Sequence, residues 1–499
     1  MEQQVIVLAN RQPYSHERDS QGNVVVRRSG SGVVNAVEPL LKACSGVWVA
    51  HGGGNGDREY ATDCDGLGVP PESPAYRLRR VWLSDEEERQ YYDGFANSAL
   101  WPLCHRTYVQ PIFRAEDFNT YKSVNARFAS AVCEESAGAS PVVLVQDYHF
   151  ALAPLLIRRQ RPSCAIATFW HIPWPHWQTF AACPWRTEIL QGLLGSNVIG
   201  FQTPADCFNF VETVDRLLGA QIDCGEGIVT YRDRQVLVRD YPASIEWPGA
   251  WPSAGSIASC RAAVRRDLRA NGNTLVAVGV DRMDFTKGIE EKLLIVERLL
   301  ETRPDLRGRF VFVELAEPSR GRLAAYRKAR LAILATAERI NQRFAQGAYR
   351  PVVIHEAHHT QPTIARYFRA ADVCIVSSLH DGMNLVSKEF VASRDDEQGM
   401  LVLSEFAGAS NELHEAVIIN PFDTDRAAQS VAAALAMPPD EQRERMRRMR
   451  AVVAKNDAHA WASRMLTDVL HTCRQRSAAE PVRAVQPDMR FPSNAVSIL

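Results

Sequence analysis

Residues 381–389 read Asp381-Gly382-Met383-Asn384-Leu385-Val386-Ser387-Lys388-Glu389 and set two carboxylates around the start of a helix-like run. Gly382 lets backbone approach a ligand closely. Free N–H groups at the helix start favour an anion such as a diphosphate. Asp381 and Glu389 can accept hydrogen bonds from sugar and ribose hydroxyls. Anion donors beside hydroxyl acceptors suit a nucleotide sugar; the plain alternative is a strand–turn–helix joint with a solvated aspartate. A second stretch carries Arg282 and Lys287 just beyond the apolar run Leu275 to Val280. Two cations there can neutralise a diphosphate leaving group, unless both are ordinary surface charges.

The elements that must hold these residues follow from periodicity. Val373, Ile375 and Val376 form a strand before Asp381, and Ile289, Leu293, Leu294, Val296, Leu299 and Leu300 form a helix after Lys287. Further apolar runs at 4–9, 142–146, 165–170 and 197–201 read as buried strands, ending near Asp147, His171 and Gln202. A second set lies at 274–280, 309–315, 352–355, 372–376 and 400–403. Strands alternating with helices predict an α/β fold with parallel, doubly wound sheets. Ligands sit at the carboxyl ends of such strands, which is where the candidate residues fall. The stretch 240–254, with Pro242, Pro248 and Pro252, reads as the connection between two domains that face each other across a cleft. Residues 85–105 read as an aromatic-rich helical segment.

Composition sets limits. A chain of 499 residues with formal net charge −1 gives no broad attraction to nucleic acid or an anionic membrane. No apolar run reaches the ~18 residues of a spanning helix, and the first residues lack the pattern of a signal peptide. Eleven cysteines without a CxxC pair read as free thiols in a reducing cytoplasm. His355-Glu356-Ala357-His358-His359 matches a zinc-protease pattern that works only on a helix. Here a strand precedes it and Pro362 follows, so no metal site is expected.

Several motifs together carry a family resemblance: ANRQPY (9–14), YYDGFANSALWP (91–102), QDYHF (146–150), HIPWP (171–175), GVDRMDFTKG (279–288), AEPSRG (316–321), DGMNLVSKE (381–389) and LSEFAGASNEL (403–413). In this order they resemble the trehalose-6-phosphate synthases, retaining GT-B glycosyltransferases of family 20, from about residue 5 to about 470. The resemblance implies two facing Rossmann-like domains. Residues 1–245 would bind the acceptor and 246–455 the nucleotide sugar. Residues 456–475 would form a helix packing back on the first domain, and 476–499 a disordered tail.

The resemblance also implies a reaction: transfer of glucose from a nucleoside-diphosphate glucose, UDP-glucose first among them, to glucose 6-phosphate. It implies a front-face mechanism without metal or cofactor, in a cytoplasmic enzyme. Nucleic acid and membrane are not expected partners, and a homo-oligomer is compatible with the sequence.

Residue by residue, the resemblance places Arg282 and Lys287 on the donor diphosphate. Gly32, Asp381, Gly382, Met383, Asn384, Leu385 and Val386 surround sugar and diphosphate, and Glu389 meets the ribose. His171 lies beside the donor sugar and Asp147 against acceptor hydroxyls; a satisfied core histidine and a helix N-cap are the alternatives. Arg11, Tyr92, Trp101 and Arg320 match the acceptor-phosphate positions, with core packing or surface charge as the alternatives.

The chain departs from the family pattern at Ser31, His51 and Gln146. Those departures keep a glycerol 3-phosphate acceptor, as in glucosylglycerol-phosphate synthesis, in view. A cyclitol-coupling pseudo-glycosyltransferase and a silent sugar-phosphate sensor both require loss of donor residues, and Arg282, Lys287, Asp381 and Glu389 are all present.

Overall fold

The structure is a computed structural model that describes residues 4–29, 32–61, 65–136, 141–249 and 254–479. In chain order its strands are β1 (Val5–Leu8), β2 (Tyr14–Arg18), β3 (Val24–Arg28), β4 (Val47–His51), β5 (Gly66–Val69), β6 (Tyr76–Val81), β7 (Val142–Gln146), β8 (Ala165–Phe169) and β9 (Val198–Phe201). There follow β10 (Gln221–Asp223), β11 (Ile228–Tyr231), β12 (Arg234–Asp240), β13 (Leu275–Arg282), β14 (Phe310–Glu317), β15 (Val352–Glu356), β16 (Val373–Val376), β17 (Met400–Ser404) and β18 (Val417–Ile419).

Ten strands form the first sheet in the order β10-β11-β12-β9-β8-β7-β1-β4-β6-β5. Its centre is parallel, while β10–β12 and β5–β6 close the edges as antiparallel pairs. The second sheet is parallel throughout, in the order β15-β14-β13-β16-β17-β18. β2 and β3 pair as a separate hairpin.

The near-continuous apolar runs are explained by burial on both faces. Along β1, Ile6 and Leu8 enter one core and Val5 and Val7 the other. Along β13, Val276, Val278 and Val280 enter one core and Ala277 the opposite one. Side chains alternate because successive Cβ atoms point to opposite faces.

The helix Ala458–Ala479 returns to the first sheet. Trp461, Ala462, Met465 and Val469 join the core of Val5, Val7 and Leu41, at the spacing that makes one helix face apolar. Asp457 Oδ1 accepts the Ala460 N–H at 2.8 Å and starts the helix. The helix runs four residues further than expected, through 476–479; residues 480–499, the rest of the expected tail, lie outside the described residues, as does Ser31.

Two sequence readings change in detail. β8 stops at Phe169, so His171 sits two residues past the strand end rather than on it. The segment 85–105 is not one regular α-helix. Arg89–Leu100 closes wide i→i+5 turns between short α-helical ends. Asn97 Nδ2 donates to the Tyr92 carbonyl at 2.8 Å and Ser98 Oγ to the Asp93 carbonyl at 2.6 Å, each five residues back. Among the described residues no helix is long and apolar enough to cross a membrane.

Candidate functional site

The carboxyl ends of the parallel strands of both sheets face one cleft. Asp147 follows β7, His171 follows β8 and Arg11 follows β1; Arg282 ends β13, Arg320 follows β14 and Asp381 follows β16. Gly382 marks how closely the two halves meet: a Cβ built there would stand 2.4 Å from the His171 carbonyl oxygen. At Gly408 it would stand 1.9 Å from the Gly382 oxygen. Only bare backbone fits at either position.

On the second-sheet side, Lys287 Nζ lies 2.5 Å from Asp381 Oδ2. Ser378 Oγ and Asn384 Nδ2 donate to the same oxygen at 3.3 and 3.2 Å. Burial would raise the Asp381 carboxyl, but Lys287 and the Asn384 amide hold it below the ordinary carboxylate range. Asn384 takes φ +87, an uncommon left-handed backbone. Its Oδ1 accepts the Ser387 N–H at 2.9 Å and caps the helix Leu385–Ser393. That leaves the first-turn N–H groups of Leu385 and Val386 without intrahelical partners.

Met383 is buried in the core, and its carbonyl accepts from Ala409. Glu389 makes no hydrogen bond or ion pair among the described residues, and burial pushes its carboxyl up to about 7. Gly32 opens the helix Gly32–Cys44.

On the first-sheet side, Asp147 adopts φ +75. Its Oδ1 accepts the N–H of Tyr148 at 3.0 Å and of His171 at 3.2 Å. It therefore does cap a short turn, Tyr148–Phe150, while remaining in the cleft. Burial pushes its carboxyl up to about 7, against those N–H donors and the charges of Arg320 and Arg282. His171 Nε2 meets Gln146 Oε1 at 2.9 Å, and burial drives the imidazole down to about 3, so it is neutral. Gln146 Nε2 and His149 Nε2 are buried without a hydrogen-bond partner.

The acceptor-phosphate candidates converge. The Arg320 guanidinium, from the second sheet, stacks 4.1 Å from the Trp101 ring centroid, and that of Arg282 lies 5.5 Å from the same ring. Arg320 Nη2 donates to the Tyr148 hydroxyl at 3.2 Å, crossing the cleft. Trp101 Nε1 and Arg320 Nε are buried and unpartnered, the kind of donor that native interiors normally satisfy. Tyr92 stacks on His149 at 5.6 Å. Burial would raise its phenol; the charges of Arg320, Arg11 and Arg282 outweigh that and bring it down to about 8.

Tyr92 and Trp101 are nine residues apart. In an α-helix of 3.6 residues per turn they would point to opposite sides. The wide turns of Arg89–Leu100 need more residues per turn, so nine span about two turns and the two rings fall on one side, Trp101 against Arg320 and Tyr92 within the field of its charge.

Sequence reasoning passed over Tyr148 and His149, quoted but unassigned in QDYHF, and Asp284 in GVDRMDFTKG. A carboxylate between two strand-end cations was the available signal for Asp284. The zinc-protease pattern dissolves: His355 and Glu356 end β15, and both oxygens of Glu356 are held by Arg330 at 2.6 and 2.8 Å. His51, at the end of β4, bonds the Val81 carbonyl through Nδ1 at 3.2 Å.

Comparison with known proteins adds to this geometry. The sequence model of glycosyltransferase family 20 matches residues 3–471. The trehalose-6-phosphate synthase of Mycolicibacterium vanbaalenii is 39% identical over 472 residues, covering 92% of this chain and 94% of that protein. That of Mycobacterium marinum is 38% identical over 486 residues, covering 95% of each. A UDP-forming α,α-trehalose-phosphate synthase from Burkholderia xenovorans, solved with glucose-6-phosphate, superposes with a TM-score of 0.83 at 29% identity. It covers 94% of this chain and 100% of that one. An E. coli structure bound with UDP-2-fluoro glucose gives a TM-score of 0.83 at 29% identity, over 93% and 98% of the two chains.

Proposed function

The chain belongs to glycosyltransferase family 20, and from that premise we propose that it makes α,α-trehalose 6-phosphate from UDP-glucose and glucose 6-phosphate. The curated relatives and the UDP-forming structures support both substrates. The observation that carries the reading is the pair of cationic groups meeting at the Trp101 ring. Arg282, with Lys287 nearby on the same loop, suits a diphosphate. Arg320, with Arg11 bearing on Tyr92, suits a phosphate monoester.

In this reading the acceptor's anomeric hydroxyl oxygen bonds to C1 of the donor glucose as the C1–O bond to the diphosphate breaks. The hydroxyl proton passes to the departing diphosphate oxygen on the same face, so configuration is retained. Lys287, Arg282 and the first-turn N–H groups of Leu385 and Val386 stabilise the charge that develops on the diphosphate. Asp381 and Gly382 to Asn384 hold the donor sugar, with Gly32 opposite and neutral His171 beside it. Glu389 takes the ribose hydroxyls. Asp147 accepts from an acceptor hydroxyl, and Arg11, Tyr92, Trp101 and Arg320 hold the 6-phosphate.

Residues 1–245 then form the acceptor domain, 246–455 the donor domain and 456–475 a brace between them. The protein works in the cytoplasm.

Release of nucleoside diphosphate from UDP-, GDP- and ADP-glucose, with glucose 6-phosphate or glycerol 3-phosphate, tests the assignment. Acceptor-dependent release with UDP-glucose and glucose 6-phosphate is expected. Release with glycerol 3-phosphate alone would reassign the acceptor, and silence with every pair would remove the activity.

Tyr92 gives this site a pH signature. A neutral phenol donates to a phosphate oxygen, whereas the phenolate formed above about 8 cannot donate and repels it. The acceptor's KM should therefore climb as pH rises through that value. Tyr92→Phe should start with a higher KM and lose this limb of the profile. An unchanged rise in Tyr92→Phe would assign the titration to another group.

A further inference from the structure

We propose that Asp284, a residue given no role above, is the positioning residue that aims Arg282 and Arg320 at the anionic ends of the two substrates. The inference rests on the reading just given and extends it to a side chain that need touch neither substrate.

Asp284 is fully buried, and its two oxygens have separate duties. Oδ1 accepts the Thr286 N–H at 3.0 Å and the Thr286 hydroxyl at 3.1 Å, fixing the turn Phe285–Lys287. Oδ2 faces Arg320 Nη1 at 3.3 Å, the Tyr326 hydroxyl at 3.4 Å and Arg282 Nη2 at 3.7 Å. One carboxylate thus ties the loop that bears Lys287 to the two arginines.

The arrangement needs such a group. Two guanidiniums within 5.5 Å of one indole ring repel each other, and a shared buried counter-charge holds both in place. Arg320 also sits at φ +42, a backbone state that costs ~1–3 kcal/mol for a non-glycine residue and persists only where its surroundings over-determine it. Its side-chain hydrogen bonds go to Asp284, Tyr326 and Tyr148, and its guanidinium lies on the Trp101 ring.

The test turns on a sign. Asp284→Asn removes a negative charge from a site for two anions. If Asp284 acted only through the local field, both KM values would fall. A positioning role predicts the opposite: both KM values rise, by about 10- to 100-fold for the loss of charged hydrogen bonds.

Initial rates of nucleoside-diphosphate release give the two KM values and kcat. Calorimetric binding of UDP and of glucose 6-phosphate to the same full-length proteins gives the result independently of turnover. If wild type releases no nucleoside diphosphate, the functional reading fails, and the binding data still decide the role of Asp284. A lowered Tm with both affinities unchanged would make Asp284 a structural cap and overturn the proposal, as would tighter binding of both ligands. Should Asp284→Asn not fold, Asp284→Glu serves. It keeps the charge but misplaces it, so positioning predicts weakened binding of both ligands and a field effect predicts none.

Discussion

Replacing Lys287 by alanine is expected to lower kcat by about 10²–10³-fold, the scale of losing one preorganised charge-stabilising contact in a transition state. The ammonium lies 2.5 Å from Asp381 and is largely buried, so it acts in a medium where charge is weakly screened. Its contribution grows as the diphosphate departs, so kcat and kcat/KM should fall together. The substitution also strips the buried Asp381 carboxylate of its cation, and its pKa should rise from the depressed value that Lys287 maintains. Lys287→Met restores the side chain's length without its charge, so a thermal melt beside the kinetics reports the loss of the ion pair. A variant that keeps wild-type kcat while melting lower would make the Lys287–Asp381 pair structural and leave the diphosphate to Arg282 and the N–H groups of Leu385 and Val386.

Arg320→Ala is expected to act on the other substrate. The KM for glucose 6-phosphate should rise about a hundredfold, in line with charged hydrogen bonds worth ~1.5–3 kcal/mol each, while the donor KM moves much less. Arg320→Lys should recover little. A lysine ammonium lacks the planar fork that can stack on Trp101 and still reach Tyr148 and Asp284. Steady-state kinetics at saturating donor decide the matter. An unchanged acceptor KM with a reduced kcat would contradict a phosphate anchor and move Arg320 to the leaving-group side.

The sequence discloses much of this because the fold concentrates its signals. Short, Val-rich apolar runs such as Val142–Val145 and Leu275–Val280 read as strands buried on both faces. In a parallel sheet, whatever follows such a strand stands at the ligand-binding rim, so Asp147, Arg282 and Asp381 are legible by position alone. The short or half-exposed strands are not. β10 (Gln221–Asp223) is largely exposed and β18 has three residues, so neither carries a burial pattern long enough to register.

Tyr92 and Trp101 are named by the family resemblance, but their convergence cannot be read from periodicity. An α-helical projection sends the two rings apart, and nothing local in the sequence announces the wide turns that reunite them. Asn97 and Ser98, which take up the carbonyls five residues back, are recognisable as the cause only once the geometry is known. Asp284 is hidden by its neighbours. Between two obvious cations, a carboxylate reads as a local counter-charge, and its bond to a residue 36 positions away appears only in three dimensions.

The chain crosses between the two sheets twice, once after β12 and once before the helix Ala458–Ala479. The crossings are fastened to each other, for the Ala458 N–H bonds the Ile245 carbonyl at 2.9 Å. A single tether would leave each half free to swivel. Two tethers bound side by side restrict twist of one half against the other. Gly382 meets the His171 carbonyl oxygen across this fastened junction with no room for a methyl group, so a side chain at position 382 would wedge the two halves apart where the tethers hold them together.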